Sequence, residues 1–248
     1  MQAIQNLFFW WWQRVLVRYI TLFIVIFLLF ILLTMNAQPG GLLYPLKVSG
    51  IERVASHFRV GVESQSLYQQ VRLERRLHEA VKLSSRKNVS ESAVEKLSVK
   101  VVSVTRKWLD HLARNEGGEL SPVFVLLATH QMEIRLKAIE RVFRENDSFK
   151  SEAQKVISLR REVSDYLDSR SNQLLLSKDG SFTNVFTSLL ESLMSELNRE
   201  RLDEEALMAV QDYVLNAQVL LTEEDFNTAL RSLFRAVEIV ELVDMGLR

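Results

Sequence analysis

A run of seventeen uncharged residues, 19–35, constrains this chain more than any other feature. Together with residues 15–17, and with Arg18 extending toward the headgroups, it provides about 20 residues, enough to cross a hydrocarbon core of ~30 Å as a helix. The remaining sequence is polar enough to fold in water. We therefore predict a single transmembrane helix at 19–35 that anchors a helical body to the bilayer.

The residues before this run favour the membrane interface. Three of the four tryptophans lie there, and indole rings concentrate where an apolar ring can keep its N–H in water. No acid occurs in residues 1–36. We expect residues 1–18 to be a short cytoplasmic and interfacial segment that contacts the bilayer. The predicted interface residues are Trp10, Trp11, Trp12, Arg14 and Arg18.

Charge also predicts the orientation of the anchor. The N-terminal side carries two arginines and no acid, whereas Lys47, Glu52 and Arg53 on the other side nearly cancel. The positive-inside rule therefore favours a cytoplasmic N-terminus and an extracytoplasmic body in a bacterial cytoplasmic membrane. A cleaved signal peptide is the alternative, but Met35 would occupy a position before the cut at Ala37 where a small residue is preferred.

The two parts of the body differ in charge. Residues 36–118 carry 14 basic and 8 acidic side chains, whereas residues 119–248 carry 15 and 23. We divide the body into a linker at 36–43, a membrane-proximal basic helical region at 44–118 and a distal acidic helical bundle at 119–248. The opposite charges would allow the two regions to pack against each other or against a neighbouring copy. The alternative is that both are solvated surfaces whose composition simply differs along the chain. Nucleic acid binding is not expected, because no basic stripe with interleaved aromatic residues occurs.

Apolar residues recur at helical spacing through the body, and few glycines or prolines interrupt them. The fold class is therefore all-α: an antiparallel bundle of about seven or eight helices. One helix is expected at about 62–85, with Leu67, Val71, Leu77 and Val81 facing inward. Later helices should start near Ser90, Ser121, Asp147, Phe182 and Asp203, and the last after an N-cap at Thr222.

The last two predicted helices, residues 206–243, are somewhat similar to a tetratricopeptide helix pair. The similarity rests on Ala217, Phe226, Ala229, Leu230 and Ala236. One pair does not make a solenoid, since at least three repeats are needed. We expect a helical hairpin that closes the bundle.

Residues 39–83 resemble an uncharacterised bacterial family, a domain of unknown function that usually follows a membrane span or signal. Its Pro-Gly-x-x-Leu-Tyr-Pro start with a nearby lysine matches Pro39, Gly40, Leu43, Tyr44, Pro45 and Lys47. Its helix block matches Arg76, Leu77, Glu79 and Ala80. The resemblance implies a membrane-anchored extracytoplasmic helical module without known activity. These residues are expected to pack the structure rather than to catalyse a reaction.

Catalytic and metal-binding patterns are absent from the sequence. The chain has no cysteine, no Gly-x-Ser-x-Gly motif and no glycine-rich phosphate loop. Glu74 and His78 share a helix face at i, i+4, which suits either a metal or an ordinary polar pair. His130 is expected at a core boundary with one hydrogen bond. We predict no catalytic residue, no metal site and no cofactor, and no known small molecule is indicated as a ligand.

These observations favour a non-enzymatic, single-pass membrane protein whose body contacts another membrane or envelope protein, or itself. A ligand- or stress-sensing module that binds a molecule between its helices is one alternative. A structural homo-oligomer that uses the tryptophan-rich segment and the oppositely charged regions is another. Few residues precede the span, so any inward signal would pass through a partner in the membrane.

Overall fold

The computed structural model describes residues 17–26, 29, 61–86, 89–115, 120–176, 181–197 and 202–245. The chain divides into two compact units, Met1–Phe58 and Arg59–Arg248. In the first unit, residues 17–26 and 29 are helical and exposed. Among the described residues, no helix is long and apolar enough to cross a membrane. The rest of the predicted span and Trp10, Trp11, Trp12 and Arg14 lie outside the described residues, as does the linker at 36–43.

The described part of the second unit consists of helices joined by turns, which confirms the all-α prediction for these residues. The seven α-helices are α1 (Val62–Ser84), α2 (Glu91–Asn115), α3 (Pro122–Glu145), α4 (Lys150–Leu176), α5 (Ser181–Leu197), α6 (Glu204–Thr222) and α7 (Phe226–Asp244). A short 3-10 helix, Asp147–Phe149, joins α3 to α4. Three predicted N-caps are observed: Ser90 Oγ accepts from the Ala93 N–H, Ser121 Oγ from the Phe124 N–H, and Asp203 Oδ1 from the Ala206 N–H.

Helices α1–α4 form a four-helix bundle in which α1 and α4 each pack against both α2 and α3. Helices α1 and α2 are antiparallel. The hydrogen bond from Trp108, near the end of α2, to Ser66, near the start of α1, shows this direction. Helices α1 and α3 instead run parallel, since Asn146, just after α3, donates to the carbonyl of Ser84 at the end of α1. Consecutive helices are thus antiparallel, as predicted, whereas the bundle also contains parallel neighbours that no sequence pattern indicated.

The core of the bundle is built around Trp108, which is fully buried. Its indole N–H donates to Ser66 Oγ at 2.7 Å, so the one polar atom of the ring is satisfied inside the core. Phe143 and Phe149 meet edge to face at the turn between α3 and α4, with ring centroids 4.9 Å apart. The charge boundary between residues 118 and 119 falls between α2 and α3, and both helices contribute to this core.

The inward face predicted for α1 was wrong at three of its four positions. Leu77 is buried, but Leu67, Val71 and Val81 are 40–47% exposed. The side that faces the core contains four buried polar residues, Ser66, Gln70, Arg76 and Glu79, which hid it from a purely apolar pattern. Gln70 donates to the carbonyl of Ala128 on α3, Ser66 accepts from Trp108, and Arg76 pairs with Glu79. Their hydrogen bonds make burial acceptable.

A second core joins α5, α6 and α7 to one side of the bundle. Helix α7 packs against α3, α5 and α6, while α6 packs chiefly against α7. The last helix begins one turn later than predicted: Asp225 Oδ1, not Thr222, accepts from the N–H of Thr228. Thr222 ends α6, and Glu224 adopts a left-handed φ of 61° in the turn. This tight turn makes α6 and α7 a helical hairpin, as expected.

Candidate functional site

The outer side of α6 carries a row of apolar side chains that no described element covers. Met208, Leu215 and Val219 are 54–60% exposed. They recur at i, i+7 and i+11, which places them on one side of an α-helix. Single exposed apolar residues are common on proteins, but an aligned row on one helix is a candidate interaction surface. We call this row, with the charges beside it, the α6 outer face.

The local structure explains why α6 leaves this face open. Its other side holds Val210, Val214 and Ala217, which are buried against α7. Asn216 donates to Ser232 Oγ, and Ser232 Oγ donates to the carbonyl of Tyr213, so hydrogen bonds also join the two helices. Because α6 packs chiefly on one neighbour, no other described element forms a second layer over its far side. An ordinary surface helix would carry polar residues there.

The charge of the α6 outer face is negative. Helix α6 contains no lysine or arginine between Glu204 and Thr222. Glu205, Asp212 and Glu223 are exposed and follow one edge of the apolar row. None of these three forms an ion pair with a described residue. An apolar row beside an uncompensated acidic edge favours a partner with apolar and basic groups at matching positions.

A polar contact region fixes the α6–α7 hairpin to the bundle through α3 and α7. Arg135 Nη2 lies 2.9 Å from Glu241 Oε2, and Gln131 donates to the other oxygen of the same carboxylate. Glu238 pairs with Lys137 of α3 and with Arg235 of its own helix. Burial opposes ionisation of Glu238, but its bonds to Lys137 and Arg235 and their charges outweigh this effect and lower its pKa.

His130 belongs to this contact region and has a structural role. Its Nε2 lies 2.8 Å from the carbonyl oxygen of Phe234, and the two rings stack with centroids 4.4 Å apart. The side chain is nearly buried, as expected for a residue at the core boundary. Its Nδ1 lies 3.8 Å from Glu133. Burial disfavours the charged form of Glu133, yet its interactions with His130, Ser164 and Arg160 outweigh this effect and lower its pKa below the usual value.

The other predicted site residues are spread over the molecule. In α1, Leu77 and Ala80 contribute to the bundle core, and buried Arg76 pairs with Glu79 at 2.9 Å. Arg18 is exposed on the helical segment of the first unit. The remaining motif residues lie outside the described ranges. They are Pro39, Gly40, Leu43, Tyr44, Pro45 and Lys47.

Glu74 and His78 do meet, as their i, i+4 spacing predicted. His78 Nε2 and Glu74 Oε1 are 3.8 Å apart, and both side chains are partly or largely exposed. Within the ranges that the structure describes, no group of three histidine, cysteine, aspartate or glutamate side chains could hold a metal ion. The pair therefore has the geometry of an ordinary surface contact on α1.

Sequence reasoning did not single out the outer row of α6. The signal was present in the sequence. Met208, Leu215 and Val219 form a second apolar row on a helix that already has one. Apolar rows on two sides of a helix indicate that both sides pack against a neighbouring element.

Comparisons with other proteins add no family assignment. The chain matches no protein-family model, and no curated protein or solved structure is significantly similar to it. The resemblance of residues 39–83 to a bacterial extracytoplasmic family therefore stays a prediction.

Proposed function

We propose that this protein is a non-enzymatic, single-pass membrane protein that holds a helical protein-interaction module outside the bacterial cytoplasm. The observation that carries the proposal is the α6 outer face. It is an aligned apolar row with an acidic edge, on a helix whose opposite side is firmly packed.

The energetics of this face suit a protein partner. Fully burying a side chain such as leucine or methionine contributes about 1.5–3 kcal/mol. Covering the exposed halves of Met208, Leu215 and Val219 would therefore contribute roughly 2–4 kcal/mol. The acidic edge adds selectivity, because a partner with like charge there is repelled. Such a face is suited to reversible contact rather than to permanent assembly.

The architecture of the hairpin supports the same role. Helices α6 and α7 resemble a tetratricopeptide pair, with small residues Ala217, Ala229 and Ala236 buried where the two helices lie close together. In helical repeat arrays the outermost helix needs a polar outer side to remain soluble. Helix α6 presents apolar side chains on its outer side instead. It is therefore better suited to pack against another helix than to serve as an outermost helix exposed to water.

The membrane tether completes the proposal. A span at 19–35, the basic residues before it and the near-neutral segment after it favour an extracytoplasmic body. Tethering limits the module to partners within reach of the bilayer, which raises their effective concentration. A partner in the membrane or the envelope is thus favoured over a freely diffusing one.

Topology can be tested by cysteine labelling, since the chain has no cysteine of its own. Ser169 lies exposed on α4, so a Ser169→Cys variant should react with a membrane-impermeant maleimide in intact cells. A Gln2→Cys variant serves as the matched control and should react only after lysis. The reverse pattern would contradict the proposed location.

The interaction role can be tested by site-specific photocrosslinking in cells. We expect benzoylphenylalanine at Leu215, on the α6 outer face, to give protein adducts on irradiation. The same residue at Ser169, exposed on α4, should give far fewer. If neither position gives an adduct, or both give the same amount, the α6 outer face is not a docking site.

A further inference from the structure

We propose that helices α1 and α2 rest on the anionic lipid headgroups of the bilayer that anchors this protein. The inference rests on the membrane tether of the proposed function and goes beyond it, because it assigns the body a second contact with the membrane. The observation that carries it is a strip of cations along the seam between α1 and α2, beside exposed apolar side chains.

Hydrogen bonds show which sides of α1 and α2 border their common seam. On α2, His111 Nε2 lies 3.0 Å from the carbonyl oxygen of Val62 on α1, so the side of α2 that carries His111 faces α1. On α1, Gln70 donates to the carbonyl of Ala128 on α3. Helix α3 therefore covers one side of α1, and α2 covers the other.

Both sides that border the seam carry cations. With 3.6 residues per turn, Lys96, Lys100 and Lys107 lie within about 60° of His111 around α2. Arg75 and Lys82 lie about 120–140° around α1 from Gln70, measured across the solvent side, which places them at the edge next to α2. We call the three lysines of α2, with Arg75 and Lys82, the basic strip.

The strip is continuous along the two helices. Because α1 and α2 are antiparallel and Trp108 meets Ser66, Lys100 lies within about 2 Å of the level of Arg75 along the axis. Lys96 and Lys82 differ in level by about 6 Å, and the strip from Lys82 to Lys107 covers roughly 20 Å. No cation of the strip forms an ion pair with a described residue.

The acids of these two helices do not cancel the strip. Glu79 borders the seam but is buried and pairs with Arg76, whereas Glu74 lies on the outward side of α1, 3.8 Å from His78. Asp110 lies on the outward side of α2. Residues 61–86 and 89–115 carry nine exposed or partly exposed cations and five such acids, so their surface is positive. The acids farther from the seam are Glu63, Glu91 and Glu95.

Apolar side chains project on both sides of the strip. Leu67, Val71 and Val81 on α1 are 40–47% exposed, and Val99 on α2 is 50% exposed. Lysine and arginine beside exposed aliphatic side chains are typical of helices that lie in the interface of an anionic bilayer. The apolar groups enter the boundary between headgroups and acyl chains, while the cations reach the phosphates.

The position of the strip in the chain favours the bilayer as its occupant. Only 26 residues separate the predicted span, which ends at residue 35, from the start of α1. Tethering keeps α1 and α2 at a high effective concentration near the headgroups, so a weak contact is sufficient. Nucleic acid fits less well, because neither α1 nor α2 exposes an aromatic side chain on which a base could stack.

The charge of the rest of the body fits the same orientation. Residues 119–248 carry 23 acidic and 15 basic side chains, so anionic headgroups repel this region. The α6 outer face is acidic as well and contains no lysine or arginine within α6. It therefore remains available to a protein partner while α1 and α2 contact the bilayer.

Fluorescence quenching in vesicles tests the proposal on the full-length protein. A Val71→Cys variant, labelled with a small fluorophore, is reconstituted into phosphatidylcholine alone or into equal parts of phosphatidylcholine and phosphatidylglycerol. Both membranes contain a trace of lipid with a nitroxide on its headgroup, which quenches only at short range. The same label at Ser169→Cys is the control, because Ser169 is exposed on α4, diagonally across the bundle from α1.

A charge variant with a matched control tests the role of the strip. In the Val71→Cys background, the strip variant carries Lys82→Gln, Lys96→Gln and Lys100→Gln. The control removes the same number of positive charges from exposed positions on α3, α4 and α7: Arg141→Gln, Arg161→Gln and Arg231→Gln. Circular dichroism should show wild-type folding for both, since surface substitutions rarely change stability by much.

We expect strong quenching at position 71 in the membrane with phosphatidylglycerol and weak quenching in phosphatidylcholine alone. Position 169 should be weakly quenched in both. The strip variant should lose the additional quenching, the control variant should retain it, and about 1 M NaCl should reduce it, because the Debye length is then only ~3 Å. Equal quenching at position 71 in the two membranes, or an unaltered strip variant, would overturn the proposal, also if the strip binds another polyanion.

Flotation of the same vesicles after an alkaline wash separates this inference from the proposed function. Protein that is washed off the vesicles would lack the membrane tether, which overturns both. Protein that stays inserted but shows no quenching that depends on anionic lipid overturns this inference alone. The photocrosslink at Leu215 tests the interaction role independently of either result.

Discussion

The α1–α4 bundle and the α6–α7 hairpin use similar helices in different surroundings. Each bundle helix packs against two bundle neighbours, whereas α6 packs chiefly against α7. Charges on the bundle are often paired, as where Arg160 and Arg144 both reach Glu140, whereas the acids of the α6 outer face have no ion-pair partner among the described residues. A helix enclosed on several sides contributes stability, whereas a helix held on one side leaves its other side exposed.

The largest expected effect concerns the bundle core. Replacing Trp108 by alanine should lower the free energy of unfolding by about 3–5 kcal/mol, because the ring is fully buried and its N–H bonds Ser66. Urea unfolding followed by circular dichroism measures this loss. A Trp108→Phe control, which keeps most of the volume, should lose less. A loss below about 1 kcal/mol for the alanine variant would show that the bundle core is not the main source of stability.

In the second core, a core substitution should lower the free energy of unfolding by a similar or smaller amount, and the loss should be more local. Leu233 is fully buried on α7, so Leu233→Ala should cost about 2–5 kcal/mol. Because α6 depends on α7, we expect the loss to appear first as faster amide exchange in α6, with α2 remaining protected. Hydrogen exchange with mass spectrometry measures both helices in one experiment. Equal acceleration in α2 and α6 would mean that the two cores unfold as one unit.

The third prediction concerns the acid sensitivity of the bundle. Glu133→Gln should cost about 1–3 kcal/mol at neutral pH, since the largely buried carboxylate lies 3.8 Å from both Arg160 and His130. The pKa of Glu133 is lower in the folded protein than in the unfolded chain, where it is about 4.3. Its stabilising effect is therefore complete above the unfolded value and is lost as the pH falls through the folded value.

Unfolding curves from pH 7 downward measure this effect. The difference between wild type and Glu133→Gln should shrink in acid. Glu162→Gln, at an exposed position on α4, is the matched control and should change stability by less than about 0.5 kcal/mol. A difference that is constant with pH would show that the Glu133 charge does not stabilise the fold.

The smallest effect is expected at the start of α3, the helix common to both cores. Ser121→Ala removes the side-chain acceptor for the Phe124 N–H and should cost about 1 kcal/mol. Because α3 contributes to both cores, thermal unfolding and hydrogen exchange should show similar losses in α2 and α7. Ser121→Asp should retain the cap and the stability. A loss confined to one core would indicate that α3 does not couple them.

Sequence patterns were most informative where packing and local chemistry agree. Ser121 and Asp203 were correctly expected to start helices, because a cap depends on neighbours within three residues. The pattern failed on α1, where buried Ser66 and Gln70 interrupt the inward row. Whether a polar residue is buried depends on a distant partner, here Trp108 or Ala128, and no local pattern reports that partner.

By itself, the sequence determined the helical class, most helix starts and a strongly apolar segment near the N-terminus. These properties follow from residue spacing and local hydrogen bonding, which act within a few residues. Only the tertiary structure decided that α1 and α3 run side by side and that α1 and α6 each keep an uncovered face. Those features depend on which helices meet, and that is set by the combined packing of side chains far apart in the chain.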